Sequence, residues 1–305
     1  MLIIHVFAAS IFVNVISSEK KRKALVALLE DPEEKIFLVV AQVIRLEGLG
    51  IVHLLQEASV NQELSELHRS RAAEIARNIR IDAVRKELAT WKDSSDKDLL
   101  QAIISLTKIH ELELDEAAVL QGLEQLRKDV WLELNDHQTA FEQVKVLNHV
   151  FFQVHGFQSI HTLEREINHL NIAYVLAHKK GNPLIIGLIY SIVANWLDVP
   201  IYGIDLPQIF ILARMDEYRS SVLLAKENPY GVLFYINPSV KGLVFDEEQI
   251  RAFLKKLDMK PQRKFFEPAS NTELVQRYLS VYEEYCKFNG DFPSLKACEE
   301  IKQIF

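Results

Sequence analysis

An abrupt change of texture at Pro200 constrains this chain more than any other feature. From Lys20 to about Asn135 nearly every segment carries apolar residues at helical spacing, with Leu25, Leu28 and Leu29 on one face and Ile36, Val40, Val43 and Ile44 on the next. After Pro200, short runs rich in β-branched and aromatic residues follow one another at 201–205, 210–214 and 232–236, separated by Pro, Asn and Gly. These runs predict strands. Helical periodicity returns at 246–257, 271–288 and 293–304, the last two joined by the turn Asn289-Gly290-Asp291. The expected fold class is helix-rich α+β.

Breaks within the first half divide it into helices. Asp31-Pro32 ends the first, because proline fits only a helix's opening turn, and Gly48 and Gly50 punctuate the next two. Residues 24–36 look like one HEAT-type hairpin, but no second copy follows at a fixed period, so the segment is expected to act as a cap rather than an array. A long polar helix is expected over 62–91, with Ser94-Ser95-Asp96 as a break and N-cap before helices at 96–110 and 115–134. The expected divisions are an apolar extension 1–19, a helical domain 20–135, a mixed domain 136–260 and a helical hairpin 261–305.

Charge and composition exclude several function classes. A net charge of −7 supplies no general attraction to phosphate backbones, so nucleic acid is not an expected partner. The basic run Lys20-Lys21-Arg22-Lys23 reads as a solvated helix start. The two cysteines, Cys286 and Cys298, make no disulfide framework and suit a reducing compartment. Six of the ten histidines fall between His137 and His178, yet their only suggestive spacing is Glu166-x-x-His169, half of a di-iron signature without a second copy. No metal is expected. No cofactor is expected either, since Gly181 and Gly187 lack the Lys-Ser/Thr of a phosphate loop and the further glycines of a dinucleotide turn.

The most informative stretch runs from Leu147 to Gly242. It contains Leu147-Asn-His-Val-Phe-Phe152, Gly156-Phe157, Gly181-Asn-Pro-Leu-Ile-Ile-Gly-Leu-Ile-Tyr190, Val199-Pro-Ile-Tyr-Gly-Ile-Asp-Leu-Pro207 and Phe234-Tyr-Ile-Asn-Pro-Ser-Val-Lys-Gly242. In this order the pieces resemble the bacterial transglutaminase-like family labelled regulators of sirC expression, which joins such a domain to TPR-like helices. The resemblance implies a cysteine-proteinase-type domain after the HEAT-like half, with the C-terminal hairpin as one reduced TPR unit.

In active relatives a helix begins after a Gly-x-Cys turn, a strand then presents a His, and the next strand presents an Asp. That order has a chemical logic: the helix dipole favours the thiolate, the His takes its proton, and the Asp orients the imidazole. On this frame the three positions fall at Pro183, Ile209 and Asn237. None supplies the required group. Ser159 also departs from the Asn common in relatives after the Gly-Phe pair.

The resemblance therefore implies a non-enzymatic module that binds a protein or peptide, with Asn182, Tyr190, Gln208 and Asn237 as its candidate cleft residues. The alternative is a hydrolase or acyl-transferase of the same superfamily using non-standard residues, and a third reading is a purely architectural subunit. Oligomeric state is not legible.

Compartment rests on residues 1–17, an apolar run interrupted by His5 and Asn14 and preceded by no Lys or Arg. It is shorter than the roughly 20 apolar residues of a membrane span and lacks a charged export n-region, so a cytoplasmic protein with no membrane partner is expected, with export through an atypical signal as the alternative. N-terminal sequencing of protein from its own host should find Met1 or Leu2. A mature chain beginning between Ser10 and Glu19 would place it outside the cytoplasm.

Overall fold

The computed structural model describes residues 19–109, 111, 114–160, 166–216 and 229–305. His161, and with it part of the histidine-rich stretch, lies outside the described residues, as do residues 1–17. The chain divides into two compact units, 1–87 and 88–305.

The first unit is helical. Residues 19–27 form a helix that tightens into a 3-10 turn at Leu28–Glu30. Then come α1 (Glu34–Glu47), a 3-10 turn (Gly48–Ile51), α2 (Val52–Val60) and the start of α3 (Glu66–Asp93). Leu29, Ile44, Ile51 and Leu55 are fully buried. Asp31-Pro32 breaks the chain as expected, and Arg71 holds the break, donating to the Leu29 and Asp31 carbonyls at 3.0 and 2.6 Å while its guanidinium lies 4.0 Å from the Phe37 ring. By length and composition the apolar stretch Glu34–Val60 is sufficient to cross a membrane. Gly48 adopts φ +63° and divides it into two helices, a conformation that only glycine takes without strain.

In the second unit α4 (Leu99–Thr107), α5 (Glu116–Glu133) and α6 (Ala140–Asn148) lead into a π-helical turn at His149–Val154. Asp98 caps α4 by accepting from the Gln101 N–H, so that helix starts later than Asp96. The rest of the order is β1 (Gln158–Ser159), α7 (Ile172–His178), β2 (Lys180–Gly181), α8 (Pro183–Asn195), β3 (Ile201–Asp205), β4 (Phe210–Met215), β5 (Val232–Asn237), β6 (Leu243–Phe245), α9 (Glu247–Lys256), α10 (Asn271–Asn289) and α11 (Phe292–Lys302). Strands β3 to β6 make one antiparallel sheet in sequence order, and β1 and β2 form a short parallel pair. The unit begins well before the boundary expected near Asn135. The reason is packing: α4 lies against α7 and α10, and α5 against α7 and α8.

Helix α8 is the centre of this unit. Every residue from Leu184 to Ala194 is buried. A helix apolar on all sides is stable only when covered on all sides, and α5, α7, β3, β4 and the turn Pro238–Val240 supply the cover. Gly187 permits the closest approach. A Cβ built there would lie 2.6 and 2.8 Å from two carbons of the Phe210 ring and 3.2 Å from Pro238 Cγ.

Gly187→Ala is therefore expected to lower stability by about 1–3 kcal/mol in urea unfolding. Helix propensity alone favours alanine by about 1 kcal/mol, so a net loss reports the steric contact.

Candidate functional site

Helix α8 begins at Asn182, whose Oδ1 accepts the Leu184 N–H at 2.9 Å while Pro183 occupies the first helical position. The Asn182 amide also donates to the Tyr285 hydroxyl of α10 at 3.3 Å, and its backbone N–H donates to the His169 carbonyl at 2.8 Å. The start of the helix is thus tied to two other elements.

The sheet brings its own turn to the same helix. Asn237 ends β5 and its Oδ1 accepts the Ser239 N–H at 2.9 Å, closing the turn that carries Pro238 over Gly187. Ser159 links this turn to the helix start, because its hydroxyl donates to the Pro238 carbonyl at 3.2 Å and it pairs in register with Gly181. Asn182 and Asn237 are each one residue from that linkage. In the turn between β3 and β4, Gln208 is exposed at φ +66°, and half-buried Ile209 packs on the cluster that includes Ile204 and Ile211. Phe210, the next residue, lies on Gly187. One end of α8, the start of β4 and the end of β5 therefore converge.

Tyr190 lies elsewhere. It is fully buried, its ring centroid 4.8 Å from that of Phe151, and its hydroxyl donates to Asn148 Oδ1 at 3.1 Å. The Asn148 amide in turn donates to the Gly242 carbonyl at 2.8 Å. Burial pushes the Tyr190 phenol far above its ordinary range. Asn148 and Tyr285 are the polar side chains that the sequence did not single out. Asn148 lies within the Leu147–Phe152 piece but was given no role there, and Tyr285 lies in no quoted piece; their roles follow from partners 94 and 103 positions away.

A model of the transglutaminase-like superfamily matches residues 117–280. The chain belongs to that superfamily. No curated protein and no solved structure gives a match to it. The superfamily match covers α5 through the first half of α10, and so includes every element that converges on Gly187.

At that convergence the superfamily domain of this chain presents the carboxamides of Asn182 and Asn237, the Ser159 hydroxyl, the rings of Pro183 and Pro238 and the aromatic ring of Phe210. The two thiols are remote in sequence and differently placed: Cys286 is buried in α10, and Cys298 is buried in α11 with its Sγ 3.2 Å from the Leu279 carbonyl. Burial pushes Cys286 up to about 11, assisted by Asp291, and Cys298 up to about 12. Thiols held this strongly protonated are poor nucleophiles at neutral pH. Among the described residues no group of three or more His, Cys, Asp and Glu side chains is arranged to hold a metal. His169 is buried with its ring 6.0 Å from that of Tyr174, centroid to centroid.

Tyr190→Phe is expected to cost about 1 kcal/mol, the ordinary worth of one hydrogen bond. Asn148→Ala is expected to cost about 1–3 kcal/mol, since it leaves the Tyr190 hydroxyl and the Gly242 carbonyl without their shared partner. Urea titration of the two variants checks both values and their order.

Proposed function

We propose that the transglutaminase-like domain is a non-catalytic module that binds a protein or peptide. The observation that supports this most is chemical. The positions that the family resemblance assigns to nucleophile, base and orienting acid carry Pro183, Ile209 and Asn237. Proline and isoleucine have no side-chain atom that can attack a carbonyl or accept a proton, and a carboxamide has no charge with which to stabilise an imidazolium. The helix start is also occupied. Pro183 has no N–H, and the Leu184 N–H is already taken by Asn182.

The same reading assigns the chain to the sirC-regulator branch of the superfamily, with a HEAT-like N-terminal cap and a TPR-like C-terminal hairpin, acting in the cytoplasm. Asn182, Gln208 and Asn237 are its binding candidates near the Gly187 frame. Gln208 is the most accessible of these, exposed on a left-handed turn. Tyr190 is assigned a supporting role through Asn148.

A thiol-directed activity probe tests the reading. Native protein at pH 8 should label at neither cysteine, and both should react once the chain is unfolded in denaturant. The sign follows from burial: each thiol is held protonated in the fold and ionises near its ordinary value of about 8.5 when exposed. Saturable labelling of folded protein at any residue between Gly181 and Tyr190 would overturn the proposal. The triple variant Pro183→Cys, Ile209→His, Asn237→Asp tests the assignment of positions, and the thiol it introduces at the start of α8 should react with the probe in the folded state.

A further inference from the structure

A second feature of the superfamily domain and its C-terminal helices lies away from the Gly187 frame. A pocket of about 430 Å³ opens between the end of β3, the segment following the 3-10 turn at Arg263–Phe265, and α10. Its walls carry both signs of charge: Lys264 and Arg277 are cationic, and Asp205, Glu267 and Glu273 are anionic. Glu267 is engaged by Arg263, and Glu273 by the capping box of Ser270. Asp205 and Arg277 face each other less completely. Arg277 Nε lies 3.4 Å from Asp205 Oδ1, yet neither atom makes a hydrogen bond and both are shielded from solvent. Burial raises the Asp205 carboxyl above its usual range, while Arg277 and Lys264 pull it down.

The two side chains are ion-paired with each other, and with Arg277 21% and Asp205 41% exposed they also remain accessible from the pocket. A simple anion would compete with Asp205 for Arg277 and leave the carboxylate without its paired cation. A simple cation would do the same to Arg277. Only a ligand bearing both charges completes the two groups together. We propose that this pocket binds a small zwitterion, an amino-acid head group with its carboxylate on Arg277 and Lys264 and its ammonium on Asp205 and Glu273. The volume admits a free amino acid or a dipeptide. The site does not rest on the reading of the Gly187 frame, because none of its lining residues belongs to α8 or to the Pro238 turn.

Calorimetric titration of the full chain with L-alanine and with L-alanyl-L-alanine tests it, alongside the N-acetylated and C-amidated form of each. Binding of at least one parent compound is expected, weakened roughly tenfold or more by blocking either end. Preference for alanine identifies a free amino acid, and preference for dialanine a peptide end. Asp205→Asn and Arg277→Gln should each weaken binding to a similar degree, with circular dichroism reporting whether the fold is kept. Lys264→Gln, at an exposed position, provides a variant that does not challenge folding and should also weaken the carboxylate contact. No heat from either parent at millimolar concentration would overturn the proposal. So would blocked forms that bind as well as the parents, or unchanged affinity in folded variants.

Discussion

The arrangement of the second unit depends on one steric constraint, the absence of a side chain at Gly187. Helix α8 is apolar around its whole circumference and is stable only when enclosed. Enclosure on the sheet side requires Phe210 and Pro238 to settle against the helix backbone at a distance that a Cβ would forbid. Phe210 also lies against Gly203, where a Cβ would come within 2.7 Å of its ring. One aromatic ring is thus wedged between two glycines, one on the helix and one on β3. That wedge sets the height of the sheet over the helix, and hence where the turns at Gln208 and Asn237 come to rest.

Polar tethers then fix the orientation that packing leaves open. Ser159 to Pro238, Asn182 to Tyr285 and Asn148 to Gly242 each connect segments distant in sequence, and each involves a turn or a helix end. Tyr278 adds a fourth, donating from α10 to the Leu170 carbonyl at 3.1 Å. The C-terminal hairpin is therefore bonded into the superfamily domain rather than appended to it. This explains why the family match runs on to residue 280 and why no break in packing occurs near 260.

Much of this fold was legible because its signals are local. β3 occupies 201–205 as its β-branched run requires, and Asp115, Ser270 and Asp291 cap the helices that follow them, each accepting a first-turn N–H. The illegible parts are those set by distant partners. β6 has only three residues and exists because Leu243–Phe245 pairs with β5. Tyr190 stands in a family motif and so suggested a cleft, but its position on a helix enclosed on every side puts it in the core. A motif reports that a residue is needed; only the packing around it separates support from contact. The division of the chain was obscure for the same reason, since α4 and α5 have the same periodicity as the helices before them and differ only in what they pack against.

The same distinction bears on what holds the start of α8 in this transglutaminase-like domain. A catalytic thiolate at a helix start needs unsatisfied N–H groups and a positive dipole end directed at it. Here the first position has no N–H, and the second is satisfied by a neutral cap that also holds α10 through Tyr285. On the proposed non-catalytic reading, the groups at this helix start fasten the helix instead of activating a nucleophile. Asn237 plays the parallel part on the sheet, where its carboxamide closes the turn that carries Pro238 onto Gly187. The Asn182 and Asn237 carboxamides each stabilise the convergence. The geometry is accordingly kept by packing and by turn closure.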